Sequence, residues 1–115
     1  MKYFILFLTA MGSTLLAQTI SLQNTANGAL GMDFVSGDTF LVSITGAAPN
    51  KPVTLTMKRN GVLEPPANWY AGDTDANGDF TLTGTETDYY IAEFTEQWYV
   101  DGNEVGNLLD FEVIY

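Results

Sequence analysis

Residues 39–45 read Thr-Phe-Leu-Val-Ser-Ile-Thr, and their period is two. Phe40, Val42 and Ile44 fall on one face, Leu41, Ser43 and Thr45 on the other. Such alternation sets one face of an extended chain against a core and the other toward solvent, which is the signature of a half-buried β-strand. The same period recurs outward from this stretch. Val53, Leu55 and Met57 alternate with Thr54, Thr56 and Lys58, and Phe80 and Leu82 with Thr81 and Thr83. Tyr90, Ala92 and Phe94 oppose Ile91, Glu93 and Thr95, and Leu109, Phe111, Val113 and Tyr115 alternate with Asp110, Glu112 and Ile114. Between the runs stand turn formers: Ser36-Gly37-Asp38, Pro49-Asn50-Lys51-Pro52, Asn60-Gly61, Asp75-Ala76-Asn77-Gly78 and Asp101-Gly102-Asn103. Asn-Gly and Asp-Gly accept the positive φ values that tight hairpins require. No stretch after Gln18 carries the helical period. Short strands at a spacing of about 8–12 residues, each followed by a turn, predict an all-β chain, an antiparallel β-sandwich of about seven strands.

The composition narrows the chemistry. The chain has 115 residues, 14 acidic against 4 basic side chains, no histidine and no cysteine. One domain fits that length. A Ser-His-Asp triad, a cysteine nucleophile, a disulfide and a zinc site of the nitrogen–sulfur type are all excluded. A net charge of −10 argues against a nucleic-acid partner, whose phosphates it would repel. Hydrophobic residues make up 46 % of the chain, enough to build a core.

Residues 1–17 are expected to be a cleaved signal peptide. Lys2 supplies the positive charge, Tyr3–Ala10 (YFILFLTA) the apolar segment, and Gly12, Ser13 and Ala17 the small residues before a cut at Ala17/Gln18. The apolar run is too short for a membrane span, so no membrane insertion is expected after cleavage. The expected organisation is a signal peptide at 1–17, an N-terminal strand at 18–28, and a β-sandwich at 29–115. The location that follows is secreted, at the extracellular surface.

Residues 37–115 resemble the immunoglobulin-like modules of bacterial surface proteins. Gly46, Pro49 and Val53 match the strand–turn–strand element of such modules. Asp75, Gly78 and Phe80 match a hairpin built on Asp-x-x-Gly-x-Phe, and Trp98 and Phe111 fall in the closing strands. The cysteine pair of the antibody type is absent. The resemblance implies an immunoglobulin-like fold, a structural or adhesive role at a bacterial surface, and no catalysis.

Four groups of residues are candidates for function. Asp73, Asp75, Asn77 and Asp79 stand at alternate positions with Gly78 between the last two, as in the first half of a calcium-binding loop. The twelfth position is Gly84 where a bidentate glutamate belongs, so a plain hairpin turn competes with a weak calcium site; no other cofactor is expected. Glu93, Glu96, Asp101 and Glu104 lie near Trp98 and Tyr99, but a mature chain this short leaves little room for the two-walled cleft a glycosidase needs. Trp98 is expected in the core. Trp69, in a long connection beside Glu64-Pro65-Pro66, where the stiff proline pair rules out a continuous strand, and Tyr70 are the candidate ligand-binding aromatics. Thr19, Ile20, Ser21, Leu22 and Gln23 alternate like a strand, with Asn27-Gly28 as a hinge behind it. That strand either completes this chain's own sheet or pairs with a neighbouring subunit.

The expectation for function is a non-enzymatic exported structural subunit, a homo-oligomer or filament built by strand exchange. The alternative is a monomeric adhesion module that binds a glycan or a surface protein.

Overall fold

The computed structural model describes residues 18–26, 33–87 and 91–114. The expected signal peptide, the Asn27-Gly28 hinge, Tyr89-Tyr90 and Tyr115 lie outside the described residues. Ten strands follow in chain order among the described residues: β1 (Thr19–Asn24), β2 (Asp33–Val35), β3 (Thr39–Thr45), β4 (Pro52–Arg59), β5 (Val62–Leu63), β6 (Trp69–Asp73), β7 (Phe80–Thr85), β8 (Ala92–Val100), β9 (Asn103–Glu104) and β10 (Leu109–Ile114). There is no helix among the described residues. The chain is all-β.

The strands form two sheets. The smaller has the order β1-β3-β7; the larger runs β2-β10-β8-β4-β5, with β6 also on β4 and β9 on β8. Among these pairs only β2 with β10 is parallel; the others are antiparallel. The expected purely antiparallel arrangement is therefore corrected to a mixed one. β2 has three residues, and it enters beside β10 from a distant part of the chain, so no hairpin constrains its direction. A second correction concerns residues 69–73, which the proline pair places in a long connection when the sequence is read alone. The Pro65-Pro66 step does interrupt the strand, but the chain then rejoins β4, pairing Trp69 with Leu55 and Tyr70 with Thr54.

The tight turns form where Asn-Gly and Asp-Gly predict them. Asn60 and Gly61 have φ of 51° and 81°, and Asp101 and Gly102 have 53° and 80°. Two consecutive positive values suit the twist of the strands they join.

The core lies between the sheets. Leu22, Val42, Ile44 and Phe80 come from the smaller sheet; Phe34, Val53, Leu55, Phe94, Trp98, Val100, Phe111 and Val113 from the larger. Phe80 meets Trp98 across the gap with ring centroids 6.3 Å apart. Phe111 stacks on Phe94 at 5.4 Å and takes the edge of Phe34 at 5.7 Å. Each fully buried side chain of this size contributes ~1.5–3 kcal/mol, and each aromatic pair ~0.5–1.5 kcal/mol more. In a chain with no cysteine to form a disulfide, this aromatic core is the main source of cohesion.

Candidate functional site

The acidic turn is assembled from its own amides. Asp75 Oδ1 accepts from the backbone N–H of Asn77 at 2.8 Å and of Asp79 at 2.9 Å. These two bonds, Asp79 first, hold the Asp75 carboxyl below its ordinary value. The turn is then fastened to residues 46–51. Asp79 Oδ1 accepts from Gly46 N–H at 3.2 Å, the Ala47 N–H donates to the Gly78 carbonyl at 3.0 Å, and the Asn50 N–H to the Asp75 carbonyl at 3.1 Å. Thr74, buried beneath, donates its hydroxyl to the Ala48 carbonyl at 2.6 Å and accepts from Lys51 N–H at 3.0 Å. Asp73 Oδ1 accepts from the Tyr70 hydroxyl at 2.9 Å, which raises the tyrosine's pKa. The side chains of Asp73, Asp75 and Asp79 thus serve three different sets of donors. Among the described residues no three Asp, Glu, His or Cys side chains are grouped to hold a metal ion.

The aromatic candidates separate by strand parity. Trp98 is 2 % exposed, on a strand flanked by β4 and β10. Trp69 is half-buried against the core, and its indole N–H is buried with no acceptor among the described residues. Tyr70, one residue on, points the other way and is 66 % exposed. Thr54 pairs with Tyr70 on one side and Tyr99 on the other, so both tyrosines stand on the outer face of the larger sheet.

The carboxylates read together in the sequence do not stand together. Glu93 is exposed on the outer face of β8, Asp101 occupies a hairpin turn and Glu104 lies on β9. Glu96 shares its inward face with Phe94 and Trp98 and accepts from the Trp98 indole N–H at 3.0 Å. Burial pushes the Glu96 carboxyl up to about 7, against the pull of that N–H and with a further push from Glu86. Glu86 itself is only 8 % exposed, and burial raises it too. Sequence reasoning missed Glu86, because an acid one residue past a strand end looks like a solvated one.

β1 lies on β3 of its own chain, with Ile20 opposite Ile44, Leu22 opposite Val42 and Asn24 opposite Phe40. Thr19 and Thr45 share a hydroxyl bond of 2.6 Å at the outer end. At the other end Asn24, 1 % exposed, donates Nδ2 to Asp38 Oδ2 at 2.8 Å and to the Asp33 carbonyl at 3.3 Å. Its Oδ1 accepts from Ala26 N–H at 3.0 Å, so the buried amide is satisfied. Ile20 rests on Gly106. Sequence reasoning names Asp38 only as a turn residue and does not single out Asn24 or Gly106; the alternation that marks a strand does not say what its ends touch.

No protein-family model matches the chain, and no curated protein matches it. Among solved structures, the chain is similar to the superoxide reductase (neelaredoxin) from Ignicoccus hospitalis, with a TM-score of 0.47 and 14 % identity over 84 % of this chain and 81 % of the other. A variant of that protein gives a TM-score of 0.47 and 16 % identity over 98 % of this chain and 99 % of the other. These neighbours are enzymes by name, and the expectation of a non-enzymatic chain is withdrawn accordingly. At this level of likeness nothing of their activity passes to this protein.

Proposed function

We propose that this protein is an exported, self-associating β-domain of the immunoglobulin-like sandwich type, joined to its neighbours by exchange of β1. The supporting observation is the place of β1. It is an edge strand of the smaller sheet, paired among the described residues with β3 alone. An edge strand held by one neighbour is the element that can leave and be replaced by the same strand of another copy at little net cost. Head-to-tail replacement yields filaments where the rotation between copies does not close, and small closed oligomers where it does. The net charge of −10 limits uncontrolled edge pairing. The test is negative-stain electron microscopy with light scattering of the protein beginning at Gln18. Filaments of regular width or concentration-dependent oligomers are expected, and a clean monomer at all concentrations overturns the reading.

A second reading has its own observation. Tyr70 and Tyr99 flank Thr54 on an open sheet face, two aromatic side chains two strand spacings apart with hydrogen-bonding groups between them. Such a face suits stacking on a glycan or a partner protein. Tyr70→Ala would then abolish binding to a glycan array while leaving the fold unchanged; an array that shows no binding by the parent protein removes this reading.

A further inference from the structure

The seat of β1 does more than extend a sheet. Ile20 fills the space beside Gly106: a Cβ built on that glycine would lie 2.5 Å from Ile20 Cγ2 and 3.6 Å from Ile20 Cβ. Gly106 has φ of +63°, a left-handed conformation that most side chains resist. The hollow there, about 250 Å³, has Thr19 and Ile20 on one wall and Gly106, Leu108 and Leu109 on the other. Two residues on, Leu22 enters the core opposite Val42. After two more, Asn24 meets Asp38. The groove therefore contacts three alternate side chains, each in a different way: a notch at Gly106 for a branched apolar residue, the core itself for Leu22, and the Asp38 carboxylate for an amide donor. A strand shifted by one residue would present Thr19, Ser21 and Gln23 to these three places and satisfy none of them.

We infer that the groove between β3 and the 105–108 turn is a register-reading acceptor site for the 19–24 segment of a second copy of this chain, with Gly106 and Asp38 as its specificity-determining residues. The inference rests on the strand-exchange reading above. A second copy is the occupant because the segment seated in the groove is this chain's own, and the contacts are identical whichever copy supplies it. No new surface has to be created for exchange. What the two residues add is selection, since a strand of another sequence or register leaves the notch empty and the Asp38 carboxylate with the Val35 N–H but without the Asn24 amide.

The test uses two complementary pairs of variants, each expressed from the full 115-residue sequence. Ile20→Ala empties the notch and Gly106→Ala blocks it; Asn24→Asp sets a second carboxylate against Asp38, and Asp38→Asn removes the first. In a mixture of I20A and G106A chains, exchange seats the shortened strand of the first variant in the blocked notch of the second. The other seat regains the native pair of Ile20 and Gly106. A mixture of N24D and D38N chains likewise forms one seat with the amide and the carboxylate interchanged and one with the native Asn24 and Asp38. With the two chains carrying different fluorophores, energy transfer and light scattering should show about tenfold tighter association in each mixture than in either variant alone. Compensation only within one chain, so that the double variants regain thermal stability while the mixtures do not associate, overturns exchange and this inference together. Assembly of the parent protein with no discrimination among the variants leaves exchange standing and overturns the specificity roles. If G106A fails to fold, the isosteric N24D and D38N pair decides alone.

Discussion

Trp98 donates its indole N–H to Glu96, two residues back on the same inward face of β8, at 3.0 Å. The acceptor is an acid set among Phe94, Trp98 and the register partners Met57 and Leu109, with Glu86 near enough to oppose its charge. The arrangement satisfies the tryptophan but leaves the glutamate with little hydration. An apolar pocket favours the neutral acid, so the folded protein holds a proton here that the unfolded chain has released.

That difference sets a pH dependence. The Glu96 pKa is raised from 4.5 to about 7 on folding, so its protonation favours the native state. The favourable term is present in full when both states are protonated, below about pH 4.5, and is lost as pH rises through 7. The full loss is on the order of 3 kcal/mol. Glu96→Gln keeps an oxygen acceptor for Trp98 and removes the charge. It should raise the melting temperature at pH 8 and leave it nearly unchanged at pH 4.5, as read by circular dichroism. Equal shifts at both pH values would show that Glu96 is not protonated on folding.

Phe80 and Trp98 join the two sheets ring to ring within the shared core. Truncating either ring leaves a cavity where packing cannot collapse. Phe80→Ala or Trp98→Ala should cost ~3–5 kcal/mol, a large part of a total that is typically ~5–15 kcal/mol for a domain. Urea titration followed by tryptophan fluorescence measures the loss; a change below about 1 kcal/mol, a small part of that expected, would place the main cohesion elsewhere.

Trp69 makes the opposite case. Its buried indole N–H has no acceptor among the described residues, and an unsatisfied buried donor costs stability. Trp69→Phe removes the donor with a small loss of apolar area. The melting temperature is expected to hold or rise slightly, and a fall comparable to that of Trp98→Ala would reveal a partner for that N–H.

The acidic turn holds itself together, because the Asp75 side chain accepts from two N–H groups and its backbone carbonyl from two more, those of Gly78 and Asn50. Asp75→Ala should lower the melting temperature, whereas excess chelator should leave it unchanged. A drop of several degrees on chelation, restored by calcium, would assign the Asp73–Asp79 oxygens to a metal.

Gly78 sits where a Cβ would overlap the Ala47 carbonyl oxygen, and its φ is +82°. Gly78→Ala therefore combines backbone strain with a clash against a backbone atom, at a cost of about 2 kcal/mol or more. Differential scanning calorimetry reads this directly; a neutral substitution would mean that the turn does not dock on residues 46–51.

Strand identity is legible in the sequence because it is a local property. Phe40, Val42 and Ile44 alternate with their neighbours, and that pattern alone assigns a face to the core. Asn60-Gly61 and Asp101-Gly102 are legible as turns because tolerance of positive φ is a property of the residue itself. The core position of Trp98 follows from its place on a long alternating strand. The absence of His and Cys, and the acidic balance, are equally plain from composition. What the sequence does not carry is any relation between distant residues. The parallel pairing of β2 with β10 depends on how the chain returns across the sheet, and period two does not encode direction. Trp69 and Tyr70 are both aromatic neighbours of a proline pair, and only the register of β6 on β4 turns the first inward and the second outward. Glu93 and Glu96 read alike as surface acids, until the parity of β8 exposes one and turns the other, half-buried, toward Phe94 and Trp98, where its carboxyl is pushed up to about 7. The seat of Ile20 on Gly106 joins residues far apart in the chain. Local preference and composition are additive along a chain and can be read from it, whereas burial, register and the pairing of charges are properties of space, which exist only once the two sheets have closed.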